Sequence, residues 1–585
     1  MIKHSTLPEI LRGAYQNFSS TSNFSIPVNG IEETESITEL YPSICHLSEQ
    51  LQKRGVQRGD KIALISSGSP DWIRCDIAIQ LCGAVTVPLF PDLSEDIFKY
   101  EIEHAECKAI ICLSKNSHAI TRKNQDLVSF TILSSNDEIK EHSFDYESII
   151  NEKFNSEEAL KHGDKAIEAL NENDLVTIIY TSGSTGYPKG VELTHKNLCF
   201  QICQTQKRFP LVADKDIILS CLPLAHIFEK MVIYFYISCG VHIHFVDNIN
   251  KVGEYLKSVK PSVITLVPRL LEKVYAKMYE KISESPPLKK ALGLWAFNMA
   301  KNNDFSENKP ILYPLANKLV LSKLQLAFGG NVRLALSGGA ALNKNLNIFF
   351  NNIGIPLFQG YGLTESSPVI CANYPNHHKT GTVGKVFPNI DLRIDEGTNE
   401  ICSRGDHIMQ GYHKDPDSTS ATVIDGWLHT GDCGEVDSEG YLTITGRIKE
   451  IVKTSNGKYV SPVPIEQQLC SSPLIDMAMV VAEARKFCSC LIFLDPTTLD
   501  HYKEKNKITL SNDDLIKSEK FTTEIQAHID HCNTKLSHWE NIQKFCIIPN
   551  TISIQSGELT PTMKIKRHFI EKKYKDQIEN IYNII

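Results

Sequence analysis

Residues 180–190 read Tyr-Thr-Ser-Gly-Ser-Thr-Gly-Tyr-Pro-Lys-Gly and hold three glycines, four serine or threonine hydroxyls and one lysine. These types suit a polyphosphate. Glycines let backbone N–H groups approach and point inward, hydroxyls add donors, and Lys189 adds positive charge. The stretch is not a Walker loop, because Pro188 precedes the lysine and Gly190 follows it. Nor does it open a helix directly, since the next N-cap is Thr194. A plain Gly/Ser surface turn is the other reading of the same residues.

Four further stretches carry chemistry-bearing types. His226 sits in Leu-Pro-Leu-Ala-His-Ile-Phe-Glu at 222–229, as a packed side chain or as a catalyst. Small residues run from Gly338 to Leu342 and admit a flat ring against the backbone or make a tight turn. In Gly-Tyr-Gly-Leu-Thr-Glu-Ser at 360–366, Tyr361 can stack on a base, and Thr364 and Glu365 offer oxygens to a hard cation. Glu365 also reads as a helix-start residue facing the dipole. Asp432 ends Asp-Gly-Trp-Leu-His-Thr-Gly-Asp and can accept both hydroxyls of a ribose or form a turn.

The elements that must position these residues follow from periodicity. Apolar runs at 61–66, 84–88, 107–113, 175–180, 263–267, 332–337 and 355–359 read as strands, with helices at 40–51, 70–81 and 269–282. Strands alternating with helices imply an α/β fold with a largely parallel sheet and helices on its faces. Ligands in such sheets gather outside the carboxyl ends of strands, where the glycine-rich stretch would lie. Residues 1–36 read as polar and irregular, and 120–170 as surface elements. From 381 the pattern changes to short strands and turns. Paired strands are expected at 477–482 and 489–494, in a second, smaller domain.

Bulk properties exclude several classes. The chain has 585 residues, 42% of them hydrophobic, enough for several domains with large cores. Its net charge of -8 argues against a general nucleic-acid binder. Seventeen cysteines cannot all pair with one another, and their spacings match no zinc pattern, which suggests reduced thiols in the cytosol. The first ten residues lack a signal-peptide core. The apolar stretch 231–246 is broken by Gly240, His242 and His244, so a buried helix followed by a strand is expected.

Taken in order, the motifs resemble the adenylate-forming superfamily of acyl-CoA synthetases, luciferases and adenylation domains. They are Thr-Ser-Gly-Ser-Thr-Gly-x-Pro-Lys-Gly, Leu-Pro-Leu-Ala-His, Ser-Gly-Gly-Ala, Gly-Tyr-Gly-Leu-Thr-Glu, Trp-Leu-His-Thr-Gly-Asp, Gly-Arg-x-Lys and Lys-Ile-x-Arg. Residues 222–229, 425–432 and 559–564, with the long segment 273–341, are similar to the long-chain fatty acid–CoA ligase branch. The resemblance runs from about residue 38 to the C-terminus. It implies a large N-terminal domain at 1–448, with several flanked sheets and a small β region, and a small mobile α+β domain at 449–585 hinged near Lys449.

The implied reaction has two steps. A fatty carboxylate attacks the α-phosphate of ATP, giving an acyl-adenylate and pyrophosphate; the thiol of CoA then takes the acyl group and AMP leaves. The resemblance implies that Thr181, Ser182, Gly183, Ser184, Thr185, Gly186 and Lys189 wrap the phosphates, with Thr181 and Glu365 as the Mg²⁺-associated pair. Gly338, Gly339 and Ala340, with Gln359, Gly360, Tyr361, Gly362 and Thr364, are implied to hold the nucleotide base region. Asp432 and Arg447 take the ribose, Lys564 reaches between carboxylate and α-phosphate, and His226 lies near the acyl-adenylate. Glu450 and Asn456 depart from common family choices. Fatty acid and CoA are the implied partners, with no nucleic acid. The implied location is cytoplasmic, with peripheral contact at the inner membrane face. An acyl carrier protein ligase using the same adenylation is the alternative; a non-catalytic nucleotide-binding protein is disfavoured, because Lys564 and Glu365 are both present.

Overall fold

The computed structural model describes residues 4–28, 30–134, 142–181, 187–305, 309–448, 451–472, 474–494, 496–550, 552–553, 556–560 and 564–583. The chain divides into two compact units. The larger comprises residues 1–393, 402–430 and 436–443, and the smaller 394–401, 431–435 and 444–585. The architecture is α/β, as the alternating pattern implies.

Two sheets dominate the larger unit. The eight-stranded sheet has the order Gly411–Tyr412, Lys189–Thr194, Leu175–Thr181, Val85–Leu89, Lys61–Ile65, Cys107–Cys112, Phe130–Leu133, Ser143–Asp145. Its members are parallel except at the Leu175–Thr181 end, where two antiparallel pairings occur. The nine-stranded sheet has the order Lys385–Val386, Val369–Ala372, Leu357–Gly362, Leu334–Ser337, Val263–Leu266, Ile217–Ser220, His242–Phe245, Asn23–Val28, Ile31–Ser36. Its central strands are all parallel. Val263–Leu266 and Leu334–Ser337 are short apolar runs buried throughout, as burial on both faces requires, whereas His242–Phe245 alternates half-buried histidines with buried Ile243 and Phe245.

Two expectations are corrected. Residues 1–36 are not irregular: helix Leu7–Asn17 is followed by the hairpin Asn23–Val28 with Ile31–Ser36. The Glu9 carboxylate accepts from the backbone N–H groups of Ser5 and Thr6 at the helix start, and Leu7, Ile10, Leu11 and Ala14 are buried along one face. Residues 120–170 are not only surface elements, because Phe130–Leu133 and Ser143–Asp145 extend the eight-stranded sheet. Their runs of four and three residues are too short to show a period.

The expected helix-then-strand at 231–246 is helix Ile227–Ser238 followed by strand His242–Phe245. Among the described residues no helix is long and apolar enough to cross a membrane. All seventeen cysteines are free thiols. Burial pushes the thiols of Cys45, Cys75 and Cys82 up to about 12.

In the smaller unit, Ile475–Val481 pairs antiparallel with Cys488–Leu494, which pairs parallel with Ile542–Ile548. Alternation sends Ala478, Val480, Cys490 and Ile492 into one core with Phe521, Ile525 and Ile529 of helix Glu519–Asn533. Met477, Met479, Leu491 and Phe493 enter a second core with Ile570, Tyr574 and Ile578 near the C-terminus.

One charged group lies in the middle of the larger unit. Lys230 Nζ donates to both oxygens of Asp76 at 2.7 Å, Tyr234 OH also donates to Asp76, and the ammonium lies 4.9 Å from the Trp72 ring centre. Lys230 and Asp76 are fully buried. The pair ties helix Pro70–Leu81 to helix Ile227–Ser238. Lys230→Met is expected to destabilise the unit by about 3–5 kcal/mol by leaving the Asp76 charge buried and unmatched. Adding Asp76→Asn should recover much of that loss, as read from thermal midpoints of the three proteins.

Candidate active site

The glycine-rich stretch joins the two antiparallel strands Leu175–Thr181 and Lys189–Thr194, with Thr181 opposite Lys189 and Tyr180 opposite Gly190. Ser182, Gly183, Ser184, Thr185 and Gly186 lie outside the described residues. Thr181 Oγ1 donates to the Lys189 carbonyl at 3.4 Å. The helix that follows begins where the sequence places it: Thr194 caps His195–Arg208 by accepting from the Asn197 N–H.

Lys189 is held from a part of the chain that sequence reasoning passed over. Its Nζ donates to Ser418 Oγ, lies 3.4 Å from Asp415 Oδ2, and sits 4.9 Å from the Tyr412 ring centre. Asp415 caps helix Pro416–Thr422, and the Ser418 donors hold its carboxyl below the usual range. Tyr412 reaches this position because the two-residue strand Gly411–Tyr412 pairs with Val191 and Glu192 beside the loop.

The Tyr412 hydroxyl donates to Glu365 Oε1 at 2.8 Å. Burial, then the Glu365 carboxylate, raises the phenol well above its ordinary range, so the proton stays on oxygen and is donated. The Glu365 carbonyl accepts from the Met409 N–H at 2.9 Å. Gln201, on helix His195–Arg208, donates to the carbonyls of Ser366 and Val369 at 3.0 and 2.6 Å. One tyrosine therefore touches both the loop's lysine and the candidate cation ligand. The sequence signal was only a Gly-Tyr pair, 47 residues from Glu365.

The base-region candidates lie at the carboxyl ends of parallel strands in the nine-stranded sheet. Leu266 lies opposite Ser337, and Ser337 opposite Gln359. Gly338, Gly339 and Ala340 leave strand Leu334–Ser337 at that level. Gln359 lies in strand Leu357–Gly362 as expected, and Gly360, Tyr361 and Gly362 belong to the same strand rather than to a loop after it, while Thr364 and Glu365 form the turn beyond. A Cβ on Gly362 would lie 1.7 Å from the Pro368 carbonyl oxygen, so only glycine fits.

His226 caps helix Ile227–Ser238, its Nδ1 accepting from the Phe228 N–H at 3.2 Å. In the neutral ring the proton is then on Nε2. The Phe228 ring lies 3.3 Å from where a Gly338 Cβ would be, so this turn packs on the 338–340 segment. Behind it, Glu229 is fully buried and accepts from Ser220 Oγ at 2.6 Å and Thr265 Oγ1 at 2.9 Å. It pins the helix that carries His226 to two strands of the sheet. Burial pushes its carboxyl up to about 7.

The remaining candidates belong to the smaller unit. Arg447 Nε donates to Asp432 Oδ1 at 2.7 Å; the aspartate is buried and the arginine is exposed. Asp432 lies within the ten-residue strand Trp427–Val436, not at its end, and Arg447 closes strand Leu442–Arg447. Lys564 is exposed on a segment returning along residue 560: its N–H donates to Thr560 Oγ1 at 3.0 Å, and its carbonyl accepts from the Thr560 N–H at 2.8 Å. Glu558, at the base of this segment, accepts from Lys573 at 2.6 Å and Tyr574 at 3.0 Å. Lys449 and Glu450 lie outside the described residues.

The AMP-binding enzyme family matches residues 21–413, and the AMP-binding enzyme C-terminal domain matches 449–584. The long-chain-fatty-acid–CoA ligase FadD15 of Mycobacterium bovis is 35% identical over 551 residues, covering 90% of this chain and 89% of that protein. The human long-chain-fatty-acid–CoA ligase ACSBG2 is 29% identical over 99% of this chain and 92% of its own. The fold is shared with the adenylation domain of a carboxylate reductase from Mycobacterium chelonae, with a TM-score of 0.76 and 18% identity over 99% of this chain and 91% of that one. The chain belongs to the adenylate-forming AMP-binding enzyme family, in its fatty acid–CoA ligase branch, and is an acyl-CoA ligase.

The buried Glu229 gives a pH test. Its folded-state pKa is raised, so the folded protein holds this proton more tightly than the unfolded chain does. The stability this contributes is complete below about 4.5 and is lost as pH rises to about 7. Glu229→Gln keeps the shape without the titration. Its unfolding free energy should fall less between pH 5 and pH 8 than that of the unsubstituted protein, by on the order of 3 kcal/mol, as read from denaturant unfolding at the two pH values.

Proposed function

We propose that this chain activates a long-chain fatty acid with ATP through an acyl-adenylate and passes the acyl group to CoA, releasing AMP and pyrophosphate. The observation that carries this reading is the convergence of the His226 turn, the 338–340 segment and the 359–365 segment at one level of a parallel sheet, in a chain of this family. A carboxylate has no good leaving group, and adenylation supplies one.

The roles follow from chemical type and place. Lys189 and the glycine-rich stretch hold the β- and γ-phosphates. Gly338, Gly339, Ala340, Gln359, Gly360, Tyr361, Gly362 and Thr364 hold the adenine region, and the paired Asp432 and Arg447 hold the ribose. Lys564 offsets the repulsion between the carboxylate and the α-phosphate. His226 borders the acyl-adenylate.

Thr181 and Glu365 would hold Mg²⁺, because a hydroxyl and a carboxylate are the hard oxygen donors that this ion takes alongside phosphate. When bound, the ion supplies positive charge against the leaving pyrophosphate. The donor set fits: the Glu365 carboxylate is half-buried and oriented by the Tyr412 hydroxyl. We place the division between catalytic domains at 1–448 and 449–585, with the hinge at Lys449, and the enzyme in the cytoplasm.

Incubation with ATP, Mg²⁺, CoA and palmitate should give acyl-CoA and AMP; ADP as the nucleotide product would sink this reading. Supplying holo-acyl carrier protein in place of CoA should give little product, and preference for the carrier would reassign the acceptor. Lys564→Ala should slow adenylate formation by ~10²–10³ while sparing thioester formation from supplied acyl-AMP. Equal loss in both half-reactions refutes the role of this lysine. Tyr412→Phe keeps the ring beside Lys189 but removes the hydrogen bond to Glu365. A loss of about 1 kcal/mol, a few-fold in pyrophosphate exchange, is expected.

A further inference from the structure

Helix Glu95–Ala105 lies beside the glycine-rich hairpin. Phe98, Ile102 and Ala105 fix it by entering the core of the eight-stranded sheet with Val87, Ile110 and Ile178. One turn of this helix is aromatic. The Tyr100 and His104 rings, four residues apart, lie 5.1 Å from each other at 21°.

This turn meets the hairpin on both sides of its loop. On the first side, Tyr180 sits edge-on to both rings, 6.3 Å from Tyr100 and 5.8 Å from His104, and its hydroxyl lies 2.8 Å from His104 Nδ1. Burial raises the Tyr180 phenol well above its ordinary range and lowers the His104 pKa, so the phenol donates and the neutral ring accepts. On the second side, Tyr187 stacks on Tyr100 with ring centres 4.4 Å apart at 24°. The Tyr187 side chain is 61% exposed and rests one face on this ring. Tyr187 fills the unspecified position of Thr-Ser-Gly-Ser-Thr-Gly-x-Pro-Lys-Gly, so the stack belongs to this chain rather than to the motif.

The stack bears on Lys189. The ladder ends where Thr181 lies opposite Lys189, which leaves Tyr187 two residues beyond the last paired position. The link between them is stiff: Pro188 has a fixed φ, and a residue before proline is confined to extended backbone. Holding the Tyr187 ring therefore limits the direction from which the chain reaches Lys189. The same helix end also ties down the segment that grips the lysine's ammonium. Lys414, next to Asp415, donates to the His104 carbonyl at 2.9 Å and pairs with Glu106 at 2.8 Å.

We propose that Tyr100 is a positioning residue for adenylation: by receiving the Tyr187 ring it sets the arm Tyr187-Pro188-Lys189 against the terminal phosphates of ATP. The assignment rests on the reading above, in which Lys189 holds the β- and γ-phosphates. It separates nucleotides by length. AMP lacks both of those phosphates, so losing the stack weakens ATP and leaves AMP alone. A role in packing only would weaken both alike, or neither.

Binding of AMP, and of an ATP analogue with a methylene bridge between its α- and β-phosphates, is measured by calorimetry with Mg²⁺. The proteins are the full chain, Tyr100→Ala, Tyr100→Phe, Tyr187→Ala and the double alanine variant. Tyr100→Ala should weaken the analogue about three- to ten-fold, the worth of one aromatic pair, and AMP by less than about two-fold. Tyr100→Phe keeps the ring and should bind as the unsubstituted protein does. Tyr187→Ala should match Tyr100→Ala, and the double variant should be no weaker than either. In turnover, KM for ATP should rise by the same factor, with kcat and KM for the fatty acid little changed. Equal weakening of AMP and the analogue overturns the proposal, as do additive effects of the two alanines or unchanged binding by both. Should Tyr100→Ala fail to fold, Tyr187→Ala, made at an exposed side chain, carries the same comparison. An unsubstituted protein that forms no AMP from ATP and fatty acid sinks the functional reading and this assignment with it. One that forms AMP while its variants bind alike sinks the role of Tyr100 alone.

Discussion

Hydrogen bonding between parallel strands sets the level at which they end, and the candidate site depends on that register. Leu266 opposite Ser337, and Ser337 opposite Gln359, bring three chain segments out of the nine-stranded sheet side by side. A slip of one residue would turn each strand's side chains to the other face and carry the following loop with them. Two devices hold the ends in place. Glu229 bonds to hydroxyls on two of the strands, and the close approach of the Pro368 carbonyl to Gly362 leaves no room for a side chain. Both are local and buried, and both sit next to residues proposed to touch the nucleotide.

The second sheet supplies the lysine, and Tyr412 connects the two. This side chain comes from a strand of only two residues at the edge of the eight-stranded sheet. Its hydroxyl is committed to a carboxylate on a turn of the nine-stranded sheet, and its ring to an ammonium on the glycine-rich hairpin. A cation–π contact and a charge-assisted hydrogen bond are each modest, but here one side chain bears on two charges of opposite sign. The arrangement orients the Glu365 carboxylate and the Lys189 ammonium through a single ring.

Much of the fold was legible because parallel buried strands are apolar runs with sharp ends; 61–66, 175–180 and 332–337 all stand out this way. The helix at Leu7–Asn17 was missed although its signal is present, with Leu7, Ile10, Leu11 and Ala14 at helical spacing after a Thr-x-x-Glu start, because polar neighbours on both sides obscured it. Strands Phe130–Leu133 and Ser143–Asp145 were not legible, because runs that short have no measurable period. The site was legible where function demands unusual local composition, as in the glycine-rich stretch. It was illegible where a role depends on a partner distant in sequence. Nothing around Tyr412 announces Glu365, and nothing around Glu229 announces Ser220 and Thr265. Such pairings exist only after the strands have ordered.

The free cysteines give the molecule a chemical memory of its own folding. A thiol reacts as its thiolate, and burial holds Cys45, Cys75 and Cys82 far from that form at neutral pH. When a segment opens, its thiols return to ordinary acidity and to solvent together. Electrophiles that leave the buried thiols of the native molecule untouched would then mark the opened region permanently, at buried cysteines spread from Cys45 to Cys532 through both units. The pattern of labelled positions would thus record which parts of the chain had opened, without any engineered residue.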